Sequence, residues 1–123
     1  MLKSSPQTIF KVRSVLQRAF YFYIIGSMEL NQAAESFNAL SQPSRLAIVS
    51  LLGQVGSAGA RPSDMAATLR LPANTLSFHL RQLRHAGLVT EERSGRDRIY
   101  RANLGALQQL SLYLDEASSR SST

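Results

Sequence analysis

The sequence has no cysteine, few acidic residues and no long apolar run. Without a thiol the chain forms no disulfide, offers no thiolate ligand to a metal ion and holds no cysteine nucleophile. Its apolar run at residues 19–25 is far shorter than the ~18 residues that a membrane-spanning helix needs. With 123 residues and 44% apolar composition, the chain is long and apolar enough for one folded domain. We therefore expect a soluble, cytoplasmic protein that does not span a membrane.

Basic residues outnumber acidic ones by fourteen to eight, which gives a formal net charge of +6. Twelve of the fourteen are arginines, and arginine binds phosphate groups and guanine through paired hydrogen bonds. This balance predicts a polyanionic partner. Neither an enzyme nor a cofactor is expected, because the sequence has no Gly-rich phosphate-binding loop. Its only two histidines, His79 and His85, lie six residues apart and so face different sides of a helix.

Residues 1–27 differ from the rest of the chain because they carry four basic residues, no acidic residue and the apolar run at 19–25. That run is short and no small-x-small cleavage site follows it, so we do not expect a secretory signal. One interpretation is an upstream extension to a domain that starts at Met28. Another is a basic amphipathic helix that binds a partner or a membrane surface.

From residue 28 to residue 117, the spacing of apolar residues predicts one domain of short helices and a β-hairpin. Helices are expected at 29–40, 43–52, 61–70, 75–86 and 104–117, and strands at 88–93 and 98–101. The glycines between residues 53 and 59 predict a flexible loop, and Ser63 is the expected cap of the third helix. Residues 94–97 are expected to form a four-residue hairpin loop, and residues 118–123 a disordered tail. The order is that of a winged helix-turn-helix, a mainly α fold with a small β-hairpin.

The second helix of the helix-turn-helix has an apolar side, made by Leu76, Leu80 and Leu83, and a polar side that is expected to face solvent. The residues predicted to contact DNA from this helix are Asn74, Thr75, Ser77, Phe78, Arg81 and Gln82, with His79 at the edge of the face. Asparagine and glutamine can pair with adenine, arginine with guanine or phosphate, and threonine with phosphate or the thymine methyl group. Such a helix suits the major groove of DNA.

The hairpin combines several arginines with a glycine in its loop, which predicts contacts to the DNA backbone or the adjacent minor groove. These residues are Arg93, Gly95, Arg96, Arg98 and Arg101. A polar helix face and an arginine-rich turn are each often ordinary solvated surface, but their occurrence side by side indicates a DNA-binding module. The alternative is a winged helix that serves as a protein-interaction or membrane-surface adaptor and uses residues 1–27.

Residues 33–114 resemble the ArsR/SmtB family of transcriptional repressors. The resemblance is carried by LSQPSRLAIVSLL at 40–52, MAATL at 65–69, LSFHLRQLRHAGLV at 76–89 and GRDRIY at 95–100. It implies a homodimer formed by the first and last helices, an inverted-repeat operator in double-stranded DNA, and release by an effector. The positions that match the recognition motif and the wing of the family are Ser77, His79, Gly95, Arg96 and Tyr100.

The resemblance fails at the sensor sites of the family. The positions at which related repressors carry metal-binding cysteines are here Arg61, Ser63, Ser118 and Ser119. A second family site uses Asp, His and Glu on the last helix, whereas this chain has only Asp115 and Glu116 there and no histidine. Two neighbouring carboxylates are a poor site for a transition metal. We therefore predict no metal site and no tight binding of arsenite or zinc, and the effector stays unknown.

Overall fold

The computed structural model describes residues 15–17 and 29–119. The elements are α1 (Leu30–Leu40), α2 (Pro43–Val55), a 3-10 turn (Gly56–Ala58), α3 (Pro62–Leu69), α4 (Ala73–His85), β1 (Val89–Ser94), β2 (Asp97–Ala102) and α5 (Leu104–Ser119). This order confirms the predicted fold class, a winged helix-turn-helix with one antiparallel hairpin. No helix in these ranges is both long enough and apolar enough to cross a bilayer. Apart from residues 15–17, the predicted N-terminal extension lies outside the described residues.

The described residues belong to two compact units. One comprises residues 29–107, with α1 to α4, the hairpin and the first turn of α5. The other contains residues 15–17 and the remainder of α5 from Gln108 to Ser119. Within this remainder of α5, Leu110 and Leu112 are buried.

The core of the larger unit is built from the apolar side of each element. Its buried apolar residues are Ala33, Ala39, Ile48, Val49, Leu52, Met65, Leu76, Leu80, Leu83, Leu88, Val89 and Tyr100. The three leucines that were predicted to anchor the second helix of the motif are all among them. Helix α4 packs against α1, α2, α3 and β1. One side of α4 is therefore fixed by the core, and the opposite side is left to solvent.

A tight turn joins α3 to α4. At the end of α3, Arg70 adopts the left-handed conformation, with φ 55° and ψ 46°. The Leu71 N–H then donates to the Ala66 carbonyl oxygen at 3.0 Å, and Pro72 precedes the first residue of α4. This reversal brings α4 directly after α3, as a helix-turn-helix requires.

The ends of two helices differ from the sequence-based expectation. Helix α2 continues to Val55 and contains Gly53, which was expected to lie in the flexible loop. Helix α3 has Arg61 and not Ser63 at its N-cap position. The reason is Pro62, because proline lacks an N–H and has a helical φ, and so prefers the first position of a helix.

The hairpin turn and the last helix also differ from expectation. Ser94 pairs with Asp97, so the loop has two residues, Gly95 and Arg96, instead of four. Gly95 has a φ of 63°, a conformation that tight hairpin turns favour and that glycine adopts without strain. Helix α5 continues to Ser119, two residues into the predicted tail. The rest of that tail lies outside the described residues.

The hairpin is anchored to the loop that precedes α3. Ala60 and Tyr100 exchange both of their backbone hydrogen bonds, each 2.9 Å long. Gly59 approaches β2 so closely that a Cβ atom there would lie 2.5 Å from Ile99 Cγ2 and 2.8 Å from the Tyr100 carbonyl oxygen. Its φ of 68° and ψ of −174° belong to a region that is essentially restricted to glycine. This close contact sets the hairpin beside the helix-turn-helix.

Candidate nucleic-acid interface

The solvent side of α4 is a row of polar and aromatic side chains. The exposed members of the predicted set are Asn74, Ser77, Phe78, Arg81 and Gln82. Thr75 is half-buried. Phe78 is 49% exposed, which is unusual for so large an apolar side chain. The row offers amide, hydroxyl, guanidinium and aromatic groups, which are the groups that read base edges and thymine methyls.

The start of α4 orients one of these groups. Asn74 Oδ1 accepts a hydrogen bond from the Thr75 N–H at 2.9 Å. That N–H belongs to the first turn, where backbone donors have no partner within the helix. The amide oxygen of Asn74 is therefore engaged, and its NH₂ group is left to donate to an acceptor outside the protein.

The structure corrects the expectation for His79. Its side chain is 7% exposed and lies on the core side of α4. His79 Nδ1 is 3.4 Å from Arg45 Nη1, and Arg45 Nε donates to the Ala39 carbonyl oxygen at 2.6 Å. Burial, together with the nearby charge of Arg45, lowers the pKa of His79 below its ordinary value of 6.5. His79 therefore joins α4 to Arg45 of α2, which is itself bonded to the end of α1, and does not face outward with its neighbours.

Sequence reasoning missed the partner of His79 and could have found its burial. His79 stands three residues after Leu76 and four before Leu83, which are both fully buried. A residue at this spacing shares their face of the helix. Arg45 gave no such signal, because the contact joins residues 34 apart in the chain.

The hairpin presents most of its predicted residues to solvent. Arg93, Gly95, Arg96 and Arg98 are all exposed. Tyr100 differs from the expectation, since it is 5% exposed and its hydroxyl donates to Glu91 Oε2 at 2.7 Å. Burial and the adjacent carboxylate raise the pKa of Tyr100. The buried Tyr100 side chain therefore stabilises the hairpin through its hydrogen bond to Glu91.

Glu91 is the centre of a group of contacts that sequence reasoning also missed. Besides Tyr100, it accepts hydrogen bonds from Arg84 Nη1 at 3.0 Å and from Arg93 Nε at 3.1 Å. We call these four residues the Glu91 cluster. The Glu91 side chain is only 7% exposed. The hydrogen bond from Tyr100 and then that from Arg93 hold the pKa of Glu91 below its ordinary value of 4.5.

Two further arginines join the hairpin to the rest of the larger unit. Arg101 pairs with Glu92 and also donates from Nε to the Ser57 carbonyl oxygen at 2.7 Å. Arg61 Nη2 lies 3.2 Å from Asp97 Oδ2 at the tip of the hairpin. The Arg61 pair is exposed on both sides, and such a pair contributes about 1 kcal/mol or less. The pair therefore stabilises the position of the hairpin tip only weakly.

Three of the four positions at which the resemblance leads us to look for cysteines, Arg61, Ser118 and Ser119, have other contacts. Arg61 is engaged with Asp97. Ser118 and Ser119, in the last turn of α5, donate their hydroxyls to carbonyl oxygens three residues earlier in the helix, each at 3.1 Å. Within residues 15–17 and 29–119, no three His, Asp or Glu side chains lie close enough together to hold a metal ion.

Comparison with known proteins supports the same kind of module. The profile of a helix-turn-helix domain family matches residues 40–92. The HTH-type transcriptional repressor SmtB of Mycobacterium tuberculosis is 39% identical over 72 residues, which are 58% of this chain and 51% of that protein. The chain therefore spans about half the length of this relative. The HTH-type transcriptional regulator NmtR of the same species is 34% identical over 93 residues, or 76% of this chain and 72% of that protein.

A solved structure adds the state of assembly of one similar protein. It is the homodimeric winged helix-turn-helix DNA-binding domain of a possible ArsR-family transcriptional regulator from Mycobacterium bovis. The match has a TM-score of 0.60 and 28% sequence identity, and it covers 74% of this chain and 82% of that one.

Proposed function

Because the chain belongs to the ArsR/SmtB family of winged helix-turn-helix transcriptional regulators, we propose that it is a repressor that binds an operator in double-stranded DNA as a homodimer. The family consists of transcriptional regulators and not of enzymes. The observation that carries the proposal is the exposed row on α4 beside the exposed arginines of the hairpin. A repressor of this kind acts in the cytoplasm, where the DNA of a bacterial cell lies.

The two parts of the surface have different tasks in this proposal. Helix α4 enters the major groove, where Asn74, Arg81 and Gln82 read base edges and Phe78 contacts a thymine methyl group. Arg96 and its neighbours at the hairpin tip contact phosphates or the minor groove. Base contacts give sequence preference, and phosphate contacts give affinity that depends on salt.

Dimerisation is supported by apolar residues that the chain does not cover. On α1, Leu30 is 67% exposed, because the helix buries Ala33, Ser36 and Ala39 instead. On α5, Leu104 and Leu114 are 56% and 54% exposed. These helices are the ones that the family resemblance assigns to the dimer interface. Two-fold symmetry then requires an inverted-repeat operator with half-site centres one helical turn apart, about 34 Å.

Release from DNA requires an effector that prefers one dimer geometry over another, since a ligand with equal affinity for both shifts neither. This chain has no cysteine. A thiolate-bound metal is therefore not a candidate for such an effector.

The test of the proposal is selection of duplexes from a random pool, followed by titration of the enriched duplex and a scrambled duplex of equal composition. We expect Gln82→Ala and Asn74→Ala each to lose about 1–3 kcal/mol of discrimination at particular base pairs. Arg96→Ala should weaken both duplexes similarly and reduce the salt dependence of log K by about one. No enriched sequence from the wild-type protein would refute the function, and equal losses on both duplexes for all three variants would refute the division of tasks.

A further inference from the structure

The side chain of Glu91 is a nearly buried carboxylate among arginines of the surface that the proposed function assigns to DNA. Arg81 and Arg84 line one pocket together with Glu91, and Arg93 donates a hydrogen bond to it. A negative charge near phosphates opposes binding, and a carboxylate that is 7% exposed has also lost most of its hydration. The contacts that Glu91 makes must therefore contribute enough free energy to offset both effects.

The contacts of Glu91 show which parts of the protein it connects. Oε2 accepts from Tyr100 on β2 at 2.7 Å and from Arg84 at the end of α4 at 3.0 Å, while Oε1 accepts from Arg93 on β1 at 3.1 Å. One side chain thus connects the recognition helix to both strands of the hairpin. Hydrogen bonds to an ionised group are about twice as strong as neutral ones, so this connection is stiff.

The same contacts constrain two arginines without enclosing them. Arg84 is 49% exposed and Arg93 is 68% exposed, so each guanidinium keeps donors that face solvent. An arginine free in solvent loses rotamer freedom when it binds a phosphate. An arginine already held by Glu91 at one edge has less to lose.

We propose that Glu91 is a positioning residue for DNA recognition, which fixes the hairpin relative to α4 and presents Arg84 and Arg93 to the phosphate backbone. This inference rests on the proposed function. Glu91 itself does not touch DNA and acts through the side chains that it holds.

The substitution that tests the proposal is Glu91→Gln, which keeps the shape of the side chain and removes its charge. The amide has one acceptor oxygen, so it cannot serve Tyr100, Arg84 and Arg93 together. We expect the affinity for the selected duplex to fall about tenfold, the scale of one charge-assisted hydrogen bond. Affinity for scrambled DNA should fall as well, because the phosphate contacts of Arg84 and Arg93 are available on any sequence.

The neighbouring Glu92→Gln is the matched control. Glu92 lies on the same strand with a side chain that is 59% exposed, and its substitution changes the net charge by the same amount. Its partner Arg101 also keeps its bond to the Ser57 carbonyl oxygen. We expect Glu92→Gln to raise or leave equal the affinity for both duplexes, so that the ratio of specific to scrambled binding does not change.

A double-mutant cycle with Arg93→Ala separates positioning from a general loss of structure. If Glu91 acts through Arg93, then Glu91→Gln should reduce the affinity less in the Arg93→Ala background than in the wild type. All titrations are made at a temperature at which circular dichroism shows each variant to be folded.

The outcomes distinguish failure of the inference from failure of the proposed function. If the wild type enriches no sequence, the proposed function fails and the inference fails with it. If the wild type is specific but Glu91→Gln keeps the same affinity for both duplexes as Glu92→Gln, the positioning role is wrong and the repressor remains. Additive losses in the cycle would show that Glu91 does not act through Arg93, and so would overturn the proposal as stated.

Discussion

Replacement of Gly59 by alanine should destabilise the fold strongly, because two separate features of the structure exclude a side chain there. The backbone has φ 68° and ψ −174°, and holding a non-glycine residue in this region costs about 1–3 kcal/mol. The added Cβ would also lie 2.5 Å from Ile99 Cγ2 and 2.8 Å from the Tyr100 carbonyl oxygen. Overpacking of this kind costs about 1–3 kcal/mol. Together the two effects predict a loss of about 2–6 kcal/mol.

This loss is large in relation to the whole stability of a small domain, which is typically about 5–15 kcal/mol. The assay is urea unfolding followed by far-UV circular dichroism, with the free energy of unfolding taken from the midpoint and the slope. Each 1 kcal/mol of the loss should also lower the melting temperature by about 4–8 °C for a domain of this size.

Gly53→Ala is the matched control, because it makes the same chemical change where the structure predicts the opposite sign. Gly53 lies inside α2, and an added Cβ atom there would meet no atom within 4 Å. Alanine in a helix interior is about 0.5–1 kcal/mol more favourable than glycine. A stable Gly59→Ala variant, unfolding within about 0.5 kcal/mol of the wild type, would refute the close approach of this loop to β2.

Two further predictions concern the dimer and the buried histidine. If the proposed dimer forms through α1, light scattering after size exclusion should show a dimer for the wild type and a monomer for Leu30→Lys. Val55→Lys, at an exposed aliphatic residue outside the proposed interface, should remain a dimer. A dimeric Leu30→Lys protein would exclude α1 from that interface. Burial and then the charge of Arg45 lower the pKa of His79 from 6.5 in the folded protein. The unfolded state therefore binds a proton at His79 more readily than the folded state. As the pH drops from 6.5 through the lower pKa of the folded state, the free energy of unfolding should fall. His79→Asn, whose Oδ1 can accept from Arg45, should remove this part of the slope. An unchanged slope in His79→Asn would show that another group causes it.

The sequence predicts well those features that depend on periodicity. Leu76, Leu80 and Leu83 recur at the spacing of one helix face, and all three are buried. The stop at Gly87 was expected from its residue type, and its φ of 77° is the left-handed conformation that ends a helix. Such signals are local, so a single sequence contains them.

Contacts between distant residues could not be predicted in this way. Glu91 and Arg84 lie on a strand and a helix, and only the angle between these elements makes the carboxylate and the guanidinium meet. From the sequence, Glu91 and Glu92 are indistinguishable, yet one side chain is 7% exposed and the other 59%. Side chains alternate along a strand, so Glu91 and Glu92 face opposite sides of the hairpin. Only the tertiary structure determines which of these sides is buried.

The environment of His79 also makes this position on α4 unfavourable for a cation. The Arg45 guanidinium lies 3.4 Å from His79 Nδ1 and is fixed there by its bond to the Ala39 carbonyl oxygen. Any positive charge on the imidazole is therefore opposed both by the loss of water and by a second positive charge. The proton is the simplest case, and the lowered pKa of His79 reflects both effects. A divalent metal ion would meet the same burial and a larger repulsion, so the position of His79 on α4 is unfavourable for a metal ion as well as for a proton.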